Sequence, residues 1–532
     1  MRATTPCKML RHCLPLLAGL FLGLFPGPAS AQQTQTTADW RPAGSGQAPP
    51  APAAPGSGGV ILQPPQNAAP GAPMPGPGGV ILQPPQPPPP LPAPTAPAVQ
   101  VPPLRPTRVG QIKIIGNTRT LDSVILREIP LRPGQILSYP LLREAERNLA
   151  RLNIFEVNPQ TGVRPTVTDD NSNPSSEFKD IIVNVQETAT STLMFGVGVN
   201  SDAGLVGTLA FNERNFELLK FPQSWDDFVS GNAFRGGAQE LRVEAVPGTQ
   251  LQRYSIAWRE PSIFDSPYSL GVSVYYYTRD YNEYNESRLG TRLTVGRKLD
   301  QIWSVSATLR LEDVGIHDVV SFAPEDFQAV VGDHFLGSLR PTLTRDTRDS
   351  IVRPTEGSLV QLSYEQFFGG YTFPQIVLEG TEFWTIYERP DGSGRQVLAG
   401  RSELGWSGDS TPVFERFYAG GFRSMRGFEF RGVGPATAGF EQGGDFIFLN
   451  SLEYQVPILA NDHLYSVFFV DTGTVESSVE IKDYRIAVGT GLRILLPKLL
   501  GPVPIALDLG FPLVKGPEDK EQVFSFWIGF FR

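Results

Sequence analysis

The chain has 532 residues, enough for two or three domains, and 54 acidic against 45 basic side chains give it a formal net charge of −9. This acidic balance gives no reason to expect a nucleic acid partner, because proteins that bind nucleic acids usually present a basic face. Hydrophobic residues make up 40% of the chain and charged residues 19%, so most of it should fold.

The N-terminus has the pattern of a secretory signal peptide, which we predict over residues 1–31. A positively charged start precedes the apolar run Leu14–Phe25, and Ala29-Ser30-Ala31 supplies small residues for cleavage. The alternative is a membrane anchor, but the run is too short to span a bilayer as a helix. Because Cys7 and Cys13 both lie in this segment, the mature chain should have no disulfide, zinc-thiolate site or cysteine nucleophile.

Residues 32–106 are rich in Pro, Ala, Gly and Gln and almost free of charge. Such a segment cannot bury enough apolar surface to offset its chain entropy, so we predict a disordered, extended Pro-rich linker. A short repeat, Gly58–Gln66 and Gly78–Gln86, leaves two interpretations open. The segment is either a spacer, as Pro-rich tracts commonly are, or a spacer whose two Val-Ile-Leu islands dock a partner.

Residues 107–188 predict a compact α/β domain with the element order β-α-α-β-β. The first strand should end in a Gly-Asn turn, and a polar loop should separate the last two strands. The predicted elements are a strand at Val109–Asn117, helices at Leu121–Ile129 and Tyr139–Leu152, and strands at Ile154–Val157 and Lys179–Glu187.

From residue 190 to residue 532 the helical period disappears, and about sixteen segments of roughly ten residues alternate apolar and polar side chains. This pattern predicts a sixteen-stranded antiparallel transmembrane β-barrel, so the fold class is mostly β. The alternatives are a soluble β-sandwich or a propeller, but the strands are long for soluble sheets and no blade-like period is visible. The segments begin near Thr192, Leu205, Gly237, Leu251, Tyr268, Ser287, Trp303, Phe335, Gly357, Gln375, Gln396, Asp445, His463, Tyr484, Val503 and Val523.

Catalytic motifs are missing from the sequence. It has only four histidines, and it contains no His-x-x-x-His pair, no Gly-x-Ser-x-Gly elbow and no phosphate-binding loop. Because no nucleophile and base stand out, we expect no catalysis, no cofactor and no metal site.

A long loop between the eleventh and twelfth predicted strands, residues 412–444, is rich in Arg, Gly and aromatic residues. This composition predicts a loop folded into the barrel lumen, where an inward arginine needs a carboxylate. Asp471 and Glu453 are candidates on the following strands, and a pair between Arg426 and Asp471 would be charge-assisted. In that case Arg426→Ala should lower activity and loosen the barrel, and exchanging the two residues should partly restore it. The spacing of the three residues is equally consistent with ordinary lumen charges that are each solvated and do not pair.

Several segments together resemble the BamA-type superfamily of outer-membrane assembly factors, whose members join polypeptide-transport-associated (POTRA) domains to a sixteen-strand barrel. The likeness covers residues 107–532 and includes the β-α-α-β-β domain. The matching segments are Ile115–Thr118, Arg151–Phe155, Arg345–Asp349, Pro354–Gly357, Arg426-Gly427-Phe428 and Phe469–Gly473.

The resemblance implies roles for individual residues. Arg426, Gly427 and Phe428 would form the tip of the sixth extracellular loop, with Arg426 paired to Asp471 and with Glu453 as a further lumen partner. The first and last strands, about Thr192–Asn200 and Val523–Phe531, would meet at a weak seam. A seam that opens could template an incoming strand by edge pairing, and glycine weakens a strand. The seam residues are Phe195, Gly196, Gly198, Phe526 and Phe530.

The implied function is the assembly and insertion of outer-membrane proteins, with the POTRA domain in the periplasm receiving the clients. The implied partners are unfolded outer-membrane or secreted polypeptides, outer-membrane lipid and accessory lipoproteins. Two alternatives stay open: a two-partner secretion transporter that exports one polypeptide, and a passive porin or structural barrel. The single POTRA domain does not distinguish insertion from export. The Arg-rich loop argues against a porin.

Overall fold

The computed structural model describes residues 106–158, 162–172, 176–351, 353–459, 463–495 and 504–528. The predicted signal peptide, the predicted linker up to residue 105 and the predicted seam residue Phe530 lie outside the described residues. In the described parts of the chain, no helix is both long enough and apolar enough to cross a membrane.

A small α/β domain comes first and has the predicted β-α-α-β-β order. Its sheet has the order β1-β3-β2, with β1 parallel and β2 antiparallel to β3. The second helix buries an apolar stripe, Leu142, Ala145 and Leu149, in the core of this domain. The elements are β1 (Arg108–Ile115), α1 (Asp122–Arg127), α2 (Tyr139–Arg151), β2 (Thr166–Asp169) and β3 (Phe178–Asn184).

The strand predicted at Ile154–Val157 is wrong. Only Phe155 forms a bridge there, and β2 lies instead in the segment predicted to be a polar loop. Asn153 adopts a left-handed backbone with φ 54° after α2 and turns the chain inward, so that Ile154 and Phe155 become core residues. The short Thr-Val-Thr run of β2 suits an edge strand because β-branched residues favour the pleated conformation.

Sixteen antiparallel strands then close into a barrel, as predicted, and each predicted start lies at or within a few residues of an observed strand. The remaining elements are β4 (Ser191–Asn200), β5 (Gly204–Phe216), α3 (Trp225–Val229), β6 (Gln239–Val246), β7 (Leu251–Glu260), β8 (Tyr268–Asp280), β9 (Asn285–Lys298), β10 (Trp303–His317), α4 (Glu325–Gln328), β11 (Gly332–Asp346), β12 (Gly357–Gly369), β13 (Pro374–Tyr387), β14 (Gln396–Ser407), β15 (Gly427–Phe428), β16 (Ala436–Thr437), β17 (Phe440–Glu441), β18 (Phe446–Pro457), β19 (Leu464–Glu476), β20 (Arg485–Leu495), β21 (Pro504–Val514), β22 (Glu521–Gln522) and β23 (Phe524–Ile528). Of the strands from β4 to β23, the short β15, β16, β17 and β22 lie outside the barrel sheet.

The small domain packs against one end of the barrel, which we call the near rim; the opposite end is the far rim. The Leu121 N–H donates a hydrogen bond of 2.9 Å to the Gly236 carbonyl in the connection between β5 and β6. The Asn215 amide donates one of 3.0 Å to the Thr120 hydroxyl. Within the small domain, the Glu187 carboxylate accepts the Thr120 N–H at 2.6 Å and so holds the segment that contacts the barrel. These bonds fix the domain beside the first strands of the barrel.

Candidate functional site

The connection between β14 and β18, residues 408–445, folds back into the barrel, as its composition predicts; we call it the plug loop. A loop on the surface would leave its aromatic side chains in water, whereas here they are buried against the inner wall. The shared core consists of Phe417, Ala419, Met425, Phe428 and Val433 of the loop and Ile447, Leu449, Val475 and Ala487 of the wall.

The Arg426 guanidinium binds both of the predicted lumen partners, Asp471 and Glu453. Its Nε and Nη2 donate to the two carboxylate oxygens of Asp471, each at 2.8 Å, and its Nη1 donates to Glu453 at 2.6 Å. The guanidinium carbon also lies 3.5 Å from the ring centroid of Phe469. This two-bond geometry is the strongest form of a charge-assisted pair. Since Arg426 is 6% and Asp471 1% exposed, the pair is shielded from solvent.

The next two residues connect the plug loop to the end of the barrel. Gly427 has a φ of +95°, and a Cβ there would lie 3.2 Å from the backbone of Gly510 on β21, so the position suits glycine. Gly427 and Phe428 form β15, which pairs with β22. Because β22 directly precedes β23, the tip motif holds the chain segment that leads into the last barrel strand.

Sequence reasoning missed a second anchor, at the base of the plug loop. Arg288 of β9 and Arg310 of β10 both donate to the carboxylate of Glu415, Arg310 at 3.2 Å. Arg288 also binds Glu312 at 2.8 Å and Glu286 at 2.6 Å. All five side chains are buried. The sequence signal that could have revealed this anchor is the alternation of side chains along β9 and β10, which places the four charged wall residues on the lumen face.

A third anchor, also missed, surrounds Arg431 with aromatic rings. The guanidinium carbon lies 3.9 Å from the ring centroids of both Tyr281 and Tyr418. Its Nη1 donates a hydrogen bond of 3.1 Å to the Tyr284 hydroxyl. Cation–π contacts of this kind strengthen when they are removed from water. The plug loop is therefore fixed to the wall at its base and its tip, and the segment after its tip is fixed to the connection between β8 and β9.

Substituting Glu415 with glutamine should loosen the base of the plug loop. Arg288 and Arg310 would lose the carboxylate they share, and breaking a buried ion pair typically costs about 3–5 kcal/mol. We expect faster protease cleavage within residues 408–445 of the detergent-folded protein. The matched control is Glu429→Gln, at an exposed position of the same loop. Equal cleavage of the two variants would show that the cluster does not hold the loop.

The two ends of the barrel sheet meet over a short stretch of described residues. Trp527 pairs with Asn200 and Ile528 with Val199. By contrast, β4 pairs with β5 along its whole length. Among the residues that the structure describes, the Ser191–Gly198 part of β4 pairs with β5 alone.

The predicted seam residues occupy both faces of this junction. Phe195 is 78% exposed on the outer face, and alternation therefore turns Gly196 and Gly198 toward the lumen. The half-buried Phe526 accepts the Ser201 N–H through its carbonyl at 3.2 Å. On the inner side, Trp527 stacks on Phe422 of the plug loop with ring centroids 6.4 Å apart.

Two family models match the chain. Residues 233–531 match the Omp85 superfamily domain, and residues 107–188 match the POTRA model, described as a surface antigen variable number repeat. The outer membrane protein assembly factor BamA of Nitratidesulfovibrio vulgaris (strain Hildenborough) is 26% identical over 438 residues, which cover 80% of this chain and 51% of that protein. BamA of Neorickettsia risticii (strain Illinois) is 26% identical over 437 residues, covering 79% and 54%. The chain thus spans about half the length of these curated relatives.

A solved structure shares the fold. The crystal structure of BamA from Haemophilus ducreyi lacking POTRA domains 1–3 aligns with a TM-score of 0.64 and 19% identity, covering 79% of this chain and 84% of that chain. The alignment extends over most of the described chain, so the barrel architecture is common to both proteins.

Proposed function

Because this chain belongs to the Omp85 superfamily, we propose that it folds and inserts other β-barrel proteins into the bacterial outer membrane. The observation that carries the proposal is the junction between β23 and β4, where the described residues pair at only two positions, Trp527 with Asn200 and Ile528 with Val199. A strand edge presents N–H and C=O groups that pair readily with another strand. Client strands would add to this edge in an extended conformation, by backbone hydrogen bonding that does not depend on their side chains.

The small domain would receive the clients before they reach the seam. Its edge strand β2 is short, and the Val167 N–H donates to the Glu146 carboxylate of α2 at 3.0 Å. An extended client segment beside β2 would replace this hydrogen bond with a backbone one. The domain contacts the near rim next to β5, so a client bound there lies close to the first barrel strands.

This function fixes the orientation and the partners that we propose. The near rim, the small domain and the linker would face the periplasm, and the exposed apolar side chains of the barrel would contact outer-membrane lipid. Unfolded outer-membrane or secreted polypeptides would be the clients, and accessory lipoproteins would be further partners. Export of a polypeptide through the lumen would first require release of the plug loop from the buried ion pairs of Arg426 and Glu415. The same loop disfavours a passive pore.

Depletion in the native cell separates insertion from export. If the chain inserts barrels, lowering its amount should lower many unrelated outer-membrane barrel proteins together, because each needs the same seam. Quantitative proteomics of isolated outer membranes measures this, with inner-membrane proteins as the internal control and the restored wild-type gene as the reference. Normal barrel levels with the loss of a single exported protein would contradict the proposal and assign the chain to export.

A further inference from the structure

The connection between β5 and β6, residues 217–238, is long for its side of the barrel; we call it the near-rim loop. Turns on the side facing the periplasm are usually short, as the four-residue connection 299–302 between β9 and β10 is. The near-rim loop also exposes large apolar side chains that lie close together in the sequence. Leu219 and Trp225 are both 77% exposed, Val229 is 67% exposed, and Phe221 and Phe228 are exposed as well. A cluster of this kind marks an interaction surface, whereas single exposed apolar residues do not.

The short helix α3 separates this apolar surface from a polar one. Trp225, Phe228 and Val229 are spaced so that they share one helix face, and the rings of Trp225 and Phe228 stack with centroids 5.5 Å apart. Asp226 and Asp227 occupy the remaining positions, and the Asp227 N–H donates to the capping hydroxyl of Ser224. The helix is therefore amphipathic, with its aromatic face uncovered.

Hydrogen bonds place the start of the near-rim loop on the outer side of the barrel wall. Trp258 shares the outward face of β7 with Ile256, which is exposed. The Trp258 indole N–H donates to the Gln239 side-chain oxygen at 2.9 Å, so the Gln239 amide also lies outside the wall. The Leu218 N–H donates to that same oxygen at 2.8 Å. The loop thus leaves β5 over the lipid-facing surface and not beneath the lumen.

Aromatic packing holds the loop in this position. The Phe216 and Phe234 rings stack with centroids 5.8 Å apart, and the Phe221 ring meets Phe234 edge-on at 5.6 Å. The Phe234 N–H donates to the Lys220 carbonyl at 2.8 Å, which pairs the two arms of the loop. The apolar surface is therefore a fixed extension of the barrel's outer face.

We propose that the near-rim loop is a membrane-interface anchor, which inserts Leu219, Phe221 and the aromatic face of α3 into the headgroup boundary of the adjoining leaflet. Aromatic residues favour this boundary, and amphipathic helices lie in it with their apolar face buried. The surface is continuous with the lipid-facing wall. The loop carries three acidic and two basic side chains, so apolar burial and not attraction to anionic lipid drives the insertion. Since β5 is bonded to β4, the anchor lies one strand from the seam.

Fluorescence quenching by lipid tests the depth of the loop. The full chain, with Cys7 and Cys13 replaced by serine, is given Trp225→Cys, labelled with an environment-sensitive dye and folded into phosphatidylcholine vesicles. Some vesicles contain phosphatidylcholine with a nitroxide near the top of its acyl chain. The matched control is Asp226→Cys, one residue away on the polar face of α3. Gel mobility with and without heating verifies that both proteins are folded.

We expect the nitroxide lipid to quench the label at position 225 several-fold more strongly than the label at position 226, with no change at high salt. Absence of lipid quenching at position 225 in the folded protein would overturn the proposal. Equal quenching at both positions would also overturn it, because α3 would then not lie with one face in the membrane. If lipid does not quench the label at position 225 but added periplasmic protein shields it, the surface binds a protein partner instead.

Discussion

Replacing Arg426 with alanine should loosen the plug loop and lower the unfolding temperature of the barrel. Asp471 would keep a negative charge at a position that is 1% exposed, and Glu453 would lose its 2.6 Å bond from the same guanidinium. Removing one partner of a buried ion pair typically costs about 3–5 kcal/mol, because the other charge stays buried without compensation. The substitution should also reduce insertion of clients, since β15 begins at the next residue and holds the segment before β23.

The measurement is the temperature at which the folded band of the protein converts to the unfolded band on a gel, together with the rate of client insertion by reconstituted protein. Arg423→Ala is the matched control, because Arg423 is an exposed arginine of the same loop. Its guanidinium carbon lies 5.5 Å from the ring centroid of Phe422, the preceding residue of the loop. Identical conversion temperatures and insertion rates for both variants would mean that the tip pair does not hold the loop.

The structure also changes the expected result of exchanging Arg426 and Asp471. From the sequence, this exchange should partly restore the pair. Glu453, however, lies within 2.6 Å of Arg426, so a carboxylate at position 426 would face another carboxylate. We therefore expect the exchange to restore little by itself and more when it is combined with Glu453→Gln.

A disulfide across the seam should abolish client insertion, and reduction should restore it. Val199→Cys with Ile528→Cys joins two residues that are direct backbone partners between β4 and β23, a spacing that disulfides can bridge. The oxidised protein could no longer expose the edge of β4, so nearly all insertion should stop. The measurement is insertion of a barrel client into vesicles by purified protein, with and without reductant, in a chain whose Cys7 and Cys13 are replaced by serine.

The matched control places the same crosslink between two ordinary strands. Leu362→Cys with Leu378→Cys joins backbone partners on β12 and β13, away from the seam, and should leave insertion unchanged. If the oxidised seam variant inserted clients as fast as this control, the proposed route through the seam would be wrong.

The features that could be predicted from the sequence are those set by residues close together in the chain. Alternation of apolar and polar side chains within single strands, such as Trp303–Glu312, identified the barrel. This pattern is local, because it depends only on neighbouring residues and on one face of the strand contacting lipid. The unusual composition of residues 412–444 identified the plug loop for a similar local reason. The pairing of Arg426 with Asp471 needed the family resemblance as well, because spacing alone left it open.

The interactions that sequence reasoning missed join distant parts of the chain. Arg288 and Glu415 are 127 residues apart, so nothing in the local pattern of either residue identifies the other. The short strand β2 was misplaced for a related reason: it is defined by its pairing with β3, whereas Ile154 and Phe155 of the predicted strand pack in the core of the domain. The near-rim loop also passed unnoticed, because only hydrogen bonds to Gln239 reveal that it lies outside the wall.

The pairing of β15 with β22 has a consequence for how this barrel is built. The strands that must meet last, β4 and β23, are separated by more than three hundred residues of chain, and bringing such distant ends together is entropically unfavourable. In the closed barrel, β22 is paired with β15 of the plug loop, so a contact inside the lumen holds the segment directly before β23 and offsets part of this entropic cost. Because the same loop is ion-paired to the wall through Arg426 and Glu415, the plug is part of the contacts that hold the last strand in place and not an insert added to a finished pore.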